Sequence, residues 1–340
     1  MTRSFSYNSN KSSLRIRLCS RRHFVWWTSG IFVALSLLGL LLCFFNPSIK
    51  APLRPGIDFT GGTQIQLERT CDHSCDELST TKISEILRNL SISEEETKSF
   101  PKISDAKVQF LDDSKSLVLR LPFLSASQGQ SVIAAMEPIA GPFQPGGQAI
   151  NTIGPSLGGQ LLKSSLISLL AAFAGIALYI SLRYDQRFAV LALIALGHDV
   201  IIVCGVFAWL GLLFSLEVNS LFAVALLTIA GYSVNDTVVV FDRIRERARV
   251  NSSLDLAEQI DRAVSSTLTR TLYTSGTTLL PLLALIFFGG STLYWFAIAL
   301  ALGVVIGSWS SIALAPSLLS LSSSNIPVPI ETQSEDKVEK

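Results

Sequence analysis

The chain has 340 residues, 49% of them hydrophobic and only 16% charged, with a formal net charge of +1. That balance is too apolar for an ordinary soluble domain of this length and marks an integral membrane protein. So small a net charge leaves no electrostatic footprint for nucleic acid, and the sequence holds no P-loop, no zinc-protease helix and no nucleophile, base and orienter set that would suggest an enzyme.

A basic segment with Arg15, Arg17, Arg21 and Arg22 precedes an apolar run at 24–45. The run is long enough to cross a bilayer and lacks a small-residue cleavage site, so it is expected to stay as an anchor after a cytoplasmic tail at 1–23. Residues 46–155 turn polar and mixed, with Pro47, Pro52, Pro55 and Gly56 at one end and Gly141, Pro142, Pro145, Gly146 and Gly147 at the other. This composition outlines a separate domain of ordinary size. Apolar and polar residues alternate at 63–68, 107–110 and 116–121, which predicts strands there, with a further short strand near 148–153. Ile83, Ile86, Leu87 and Leu90 repeat helically within 76–90, and a second helix is expected around 127–137. Strand, helix, two strands, helix, strand is the order of a small α+β domain of ferredoxin-like type. Pro145-Gly146-Gly147 reads as a turn. Cys71 and Cys75 are spaced so that an oxidising compartment allows a local disulfide without requiring one, and with His73 they are too few for a metal site.

Five further apolar runs, at 161–182, 188–210, 218–240, 266–288 and 292–319, bring the expected transmembrane helices to six. Arg183 and Arg187 lie between the second and third, and Arg243, Arg245, Arg247 and Arg249 between the fourth and fifth, whereas the loops 211–217 and 289–291 carry no Lys or Arg. The positive-inside rule then places both termini in the cytoplasm and the α+β domain outside. The tail at 320–340 is expected to be disordered. In the sixth run Ala299, Gly303, Gly307, Ser311 and Ala315 recur every four residues, a stripe that lets another helix approach closely, here expected to be one of this chain.

Asp236 in the fourth run and Arg270 in the fifth place charges within apolar stretches. An ionised side chain at a helix centre costs about 2.5–3.5 kcal/mol on insertion scales, so each should face protein or water, and preferably the other. Asp236 lies six residues before Asp242, about 9 Å from the cytoplasmic end of its helix; Arg270 lies eight residues beyond Arg262, about 12 Å along a helix running the other way. Thr267, Arg270, Thr274 and Thr278 share a face of the fifth run, while Thr228, Tyr232, Ser233, Asn235 and Thr237 set hydrogen-bonding groups near Asp236. The pattern fits either a proton-binding site sensitive to helix position or a static ion pair that fixes register. His198-Asp199 in the third run is a second intramembrane pair. Its members point about 100° apart and need not serve one site, and Asp199 is a candidate for an accessory proton path.

Gly56-Ile57-Asp58-Phe59-Thr60-Gly61-Gly62-Thr63, Gly231-Tyr232-Ser233-Val234-Asn235-Asp236-Thr237 leading into Asp242-Arg243-Ile244-Arg245-Glu246, and Arg270-Thr271-Leu272-Tyr273-Thr274-Ser275-Gly276-Thr277-Thr278 together resemble the SecF signature of the SecD/SecF family, part of the resistance-nodulation-division superfamily. The resemblance runs from the first span to the sixth and leaves out only the tails and the insert at 71–75. It implies partnership with SecD, association with the SecYEG channel, YajC and the SecA motor, and action on translocating preproteins. The location implied is the bacterial cytoplasmic (inner) membrane or, in a photosynthetic cell, the thylakoid as well. It implies no cofactor, with the proton-motive force promoting late steps of translocation. Asp236 and Arg270 match the family's proton-coupling carboxylate and arginine. Gly56, Asp58, Gly61 and Gly62 fall in the segment that hinges the external domain to the first span, where the glycines also suit a plain turn into a strand. Proton-coupled export of small molecules and a non-transporting scaffold of the channel complex are the competing functions.

Overall fold

The computed structural model describes residues 17–70, 78–89, 106–111, 115–250 and 254–321. Cys71, Cys75 and the tail from 322 lie outside the described residues. The chain divides into two compact units: Arg54–Ser168 with Glu217–Ser220, and Met1–Leu53 with Leu169–Leu216 and Leu221–Lys340.

The first unit is an α+β domain. Its strands β1 (Gly62–Arg69), β2 (Lys107–Leu111), β3 (Ser116–Leu121) and β4 (Phe143–Ile153) form one antiparallel sheet in the order β2-β3-β1-β4. The helix α3 (Thr80–Asn89) lies between β1 and β2 in the chain, and α4 (Ala126–Ala140) between β3 and β4, which completes the expected split β-α-β arrangement. Alternation explains the burial: Ile65 and Leu67 of β1 and Leu117, Leu119 and Leu121 of β3 point into one core, closed by Ile83 and Leu87 of α3 and Val132, Ile133 and Met136 of α4. A capping box starts α4. Ser125 Oγ accepts from Gln128 N at 3.3 Å, and Gln128 Oε1 accepts from Ser125 N at 2.8 Å.

Pro145-Gly146-Gly147 does not form the expected turn. Leu67 pairs with Gln148 and Arg69 with Phe143, so residues 144–147 bulge inside β4 opposite Glu68. Gly146 has φ +83°, and a side chain on Gly147 would meet Glu68 Cβ at 2.7 Å, which is why glycine is needed at both.

The unit also recruits a distant piece of chain. Val218 N donates to Arg54 O at 2.9 Å and Gly56 N to Val218 O at 2.8 Å, a short parallel bridge. The Glu217 carboxylate pairs with Arg120 of β3 and lies 3.8 Å from Arg54 Nε. Asp58, in the one-turn helix α2 (Ile57–Thr60), accepts from Ser220 N at 2.9 Å and from Ser220 Oγ. The fourth long helix, expected to begin by Val218, therefore begins only at Ser220: the backbone of Val218 is committed to the bridge, and Asp58 takes up a first-turn N–H that the helix leaves without an internal acceptor.

The second unit carries the remaining long helices. Six helices are long and apolar enough to cross a membrane: α1 (Arg22–Phe45, entered through a 3₁₀ turn at Cys19–Arg21), α5 (Pro155–Arg183), α6 (Gln186–Leu213), α7 (Ser220–Val250), α8 (Leu256–Phe288), and α9 (Gly290–Trp309) continued through a π-helical turn (Ser310–Leu314) into α10 (Ala315–Leu319). Half or more of the α6, α7 and α9–α10 spans is buried, against 6% of α5 and 17% of α8, so three helices make the core and two present mostly open faces. Small residues set the crossings. Ser36 and Gly39 of α1 lie under Gly205 and Trp209 of α6, and Trp209 Nε1 donates to Leu35 O at 2.9 Å. The stripe on α9 packs within the chain: Gly303 lies against Ile229 and Gly307 against Ser233, both on α7.

Burial pushes the Glu217 carboxyl up and the Arg120 guanidinium down despite their mutual attraction, so desolvation outweighs pairing at this ion pair. Glu217→Ala should then cost the α+β unit about 3 kcal/mol by removing the buried carboxylate that pairs with Arg120, while Glu217→Met with Arg120→Met recovers most of that loss. Hydrogen exchange of the β1 and β3 amides in lipid nanodiscs measures both variants.

Candidate functional site

Asp199 of α6 is completely buried, and each of its oxygens is occupied. Oδ2 accepts from Ser233 Oγ of α7 at 2.6 Å and from Ser310 Oγ of the π turn at 2.7 Å, while Oδ1 lies 2.8 Å from His198 Nδ1. The expectation that His198 and Asp199 need not share a site is corrected by this contact. Their Cα–Cβ bonds diverge, but both side chains are long enough to bend toward each other.

Two hydroxyl links extend the cluster. Thr237 and Ser311 share a hydrogen bond of 2.8 Å, and Ser311 Oγ also donates to Ser233 O at 3.3 Å. Tyr232 donates to Ser275 of α8 at 3.2 Å, and Ser275 lies 2.5 Å from Ser308 of α9. Thr228 and Asn235, expected beside Asp236, lie instead on the exposed side of α7, where Thr228 bonds its own backbone at Val224 O.

Asp236 is only 5% exposed, and its Oδ2 has no hydrogen-bond partner among the described residues. Arg270 is near enough for its charge to act on that carboxyl, yet the described residues contain no ion pair between the two. The cause is helical phase. The buried polar edge of α8 is Thr267, Thr271 and Ser275, so Arg270 lies one position to the side, exposed, with Thr274 beside it on the same outer flank. Arg270 lines a cavity of about 360 Å³ together with Val239, Asp242, Arg243, Glu246, Ser266 and Thr267. The carboxyl is thus buried with one oxygen unpartnered among the described residues, and its counter-charge sits in a polar mouth at the arginine-rich end of α7.

The segment containing Gly56, Asp58, Gly61 and Gly62 plays a mechanical part. Gly61 and Gly62 have φ of +73° and +128°, and a side chain at Gly61 would meet Pro155 Cα at 2.7 Å. Asp58 holds Ser220, the first residue of α7. Sequence reasoning missed Ser308 and Ser310 and saw Ser311 only as a small residue. The signal was the run Ser308-Trp309-Ser310-Ser311 in an otherwise apolar span.

Comparison with known proteins follows the same outline. Residues 141–324 match the family model for the C-terminal part of the protein export membrane proteins SecD and SecF, and residues 49–72 match the SecD/SecF GG motif. The chain is 58% identical to a protein translocase subunit SecF of Prochlorococcus marinus, over 88% of this chain and 93% of that protein. It is 38% identical to that of Synechocystis, over 86% and 90%. The crystal structure of SecDF, a translocon-associated membrane protein from Thermus thermophilus, superposes with a TM-score of 0.73 at 32% identity. The match takes in 90% of this chain but only 38% of the SecDF chain.

The two carboxyls should respond differently to removal. Asp199→Ala takes the acceptor from the Ser233 hydroxyl and the His198 imidazole and should cost about 3 kcal/mol or more, whereas Asp236→Asn gives up no hydrogen bond at Oδ2 and should change stability by about 1 kcal/mol or less. Thermal unfolding in lipid nanodiscs separates them.

Proposed function

The chain belongs to the SecD/SecF family of protein-export membrane proteins, on its SecF side, and from that premise we propose that it works with SecD to turn the proton-motive force into late movement of preproteins through the SecYEG channel. It is a multi-pass membrane subunit of the Sec translocase. The observation that carries the energetic part of this reading is Asp236: a buried carboxyl with an unpartnered oxygen, on the helix whose first residue, Ser220, is held by Asp58 of the external unit. A charge crossing the membrane potential yields about 2.3 kcal/mol per 100 mV, comparable to the cost of keeping one carboxylate in an apolar helix bundle. Proton binding at Asp236 removes that charge and its attraction to Arg270, so α7 favours one position when protonated and another when ionised. A static clamp is the weaker reading, because Asp236 and Arg270 form no ion pair among the described residues.

Partnership with SecD fits the open faces of α5 and α8 and the fraction of the SecDF chain that this chain covers. YajC and SecA are reached through the same assembly, and the proton gradient serves in place of a cofactor. The arginines at 183, 187 and 243–249 favour cytoplasmic termini in the bacterial inner membrane. The likeness to the Synechocystis protein supports the thylakoid as a second site of action in a photosynthetic cell.

Vesicles containing SecYEG, SecD and this chain test the reading by proton-gradient-dependent completion of preprotein export. Asp236→Asn, compared at matched complex levels, should lose the stimulation by the gradient, and Asp236→Glu should recover part of it. Equal stimulation of native protein and Asp236→Asn sinks the mechanism.

A further inference from the structure

The His198–Asp199 pair contains more than a packing network needs. Asp199 is fully buried, and no Lys or Arg pairs with it among the described residues. Its only ionisable partner among the described residues is the imidazole at 2.8 Å. The far nitrogen, His198 Nε2, is buried and has no hydrogen-bond partner among the described residues, and His198 as a whole is only 7% exposed. A network evolved only to fix helix register would leave no such atom, because an unpaired buried polar group costs about 1–3 kcal/mol.

A second, independent feature converges on the same carboxylate. The helix from Gly290 is interrupted by the π turn at Ser310–Leu314, a rare geometry that recurs at functional sites. The turn brings consecutive serines to bear on three groups, Ser310 on Asp199 and Ser311 on Thr237 and Ser233 O. Ser310 also has a second acceptor in reach, Gly307 O at 3.1 Å, and a hydroxyl has one hydrogen to give.

We propose that His198 and Asp199 form a second proton-holding site, separate from Asp236, which binds a proton at His198 Nε2 and signals its occupancy to α9 through Ser310. The inference extends the proton-coupled reading of Asp236 and rests on it for its purpose, though not for its chemistry. In the empty state the imidazole is neutral, Nδ1–H donates to Asp199, and the pair carries one negative charge that draws the Ser233 and Ser310 hydroxyls. Uptake of a proton from hydronium breaks one of its O–H bonds, forms an N–H bond at Nε2, leaves a neutral water and brings the pair to zero net charge. The pull on Ser310 then falls, and its hydroxyl turns to Gly307 O within its own helix. Ser233 stands one helical turn from Asp236 and Thr237, so the helix that holds the first carboxyl also feels the second. The other ionisable groups on the packed elements include Tyr232 and Asp236 of α7, Arg270 on the outer flank of α8, Cys204 further along α6, and Cys43 of α1, which is bonded to Ala208 O.

Nitrogen-15 solid-state NMR of the imidazole-labelled chain, reconstituted with SecD in lipid, reads the site directly. The chain has 3 histidines, and His198→Gln identifies the resonance. The expected result is that His198 Nε2 gains a proton as pH falls and that Asp199→Asn shifts this titration downward. Ser310→Ala, which removes one donor without changing any charge, should shift it upward, because the ionised carboxylate loses a stabilising hydroxyl. Gradient-stimulated export should move its pH profile in the same directions. An imidazole that keeps one protonation state over the whole range, or a titration indifferent to both Asp199→Asn and Ser310→Ala, overturns the proposal. If His198 titrates as expected while Asp236→Asn leaves gradient stimulation intact, the site stands and the role given to Asp236 falls.

Discussion

Inside the membrane every polar group must find its partner within the protein, and in this chain that requirement concentrates on one carboxylate. Asp199 sits where α6, α7 and the π turn meet, and it draws a hydrogen bond from each of the other two. The helices that satisfy it are the helices that are buried. Those that contribute nothing to it, α5 above all, lie almost wholly open. The polar demand and the packing are one arrangement: hydroxyls can reach a buried carboxylate only where small residues let backbones approach, which is the service of Gly303 and Gly307 on α9.

Asp236 breaks the same rule nearby. A carboxyl oxygen enclosed without a donor is a destabilised group, and proteins keep such groups where a change of charge is useful. Its separation from Arg270 follows the same logic. A close pair would hold the carboxylate ionised and α7 in place, whereas a cation across a polar mouth lowers the cost of the charge without fixing it.

The elements were largely legible in the sequence because they rest on hydropathy and alternation. Six apolar runs became six candidate membrane helices, and the alternating stretches became β1, β2 and β3. What was not legible came from contacts between distant residues. Val218 reads as part of a helix until its backbone is taken by Arg54 and Gly56. Pro145-Gly146-Gly147 has turn chemistry, yet the pairing of Phe143 with Arg69 keeps the strand running past it. On α8 the helical period was right and its phase was off by one, which placed Arg270 on the polar seam in place of Thr271. Ser310 escaped notice because a π turn departs from the 3.6-residue period on which a helical face is assigned.

The α+β domain is not a continuous insertion. Its compact unit takes Arg54–Ser168 and then waits for Glu217–Ser220, with α5 and α6 between them in the chain. Until the loop after α6 has emerged from synthesis, Arg120 lacks Glu217, Asp58 lacks Ser220, and the segment at 54–56 lacks its bridging strand. The order of biogenesis is therefore written into the fold. The sheet and its helices can collapse early, but the domain locks only after two more helices have been placed, so a chain with a misplaced α5 or α6 would carry a lasting, protease-accessible seam in the α+β unit.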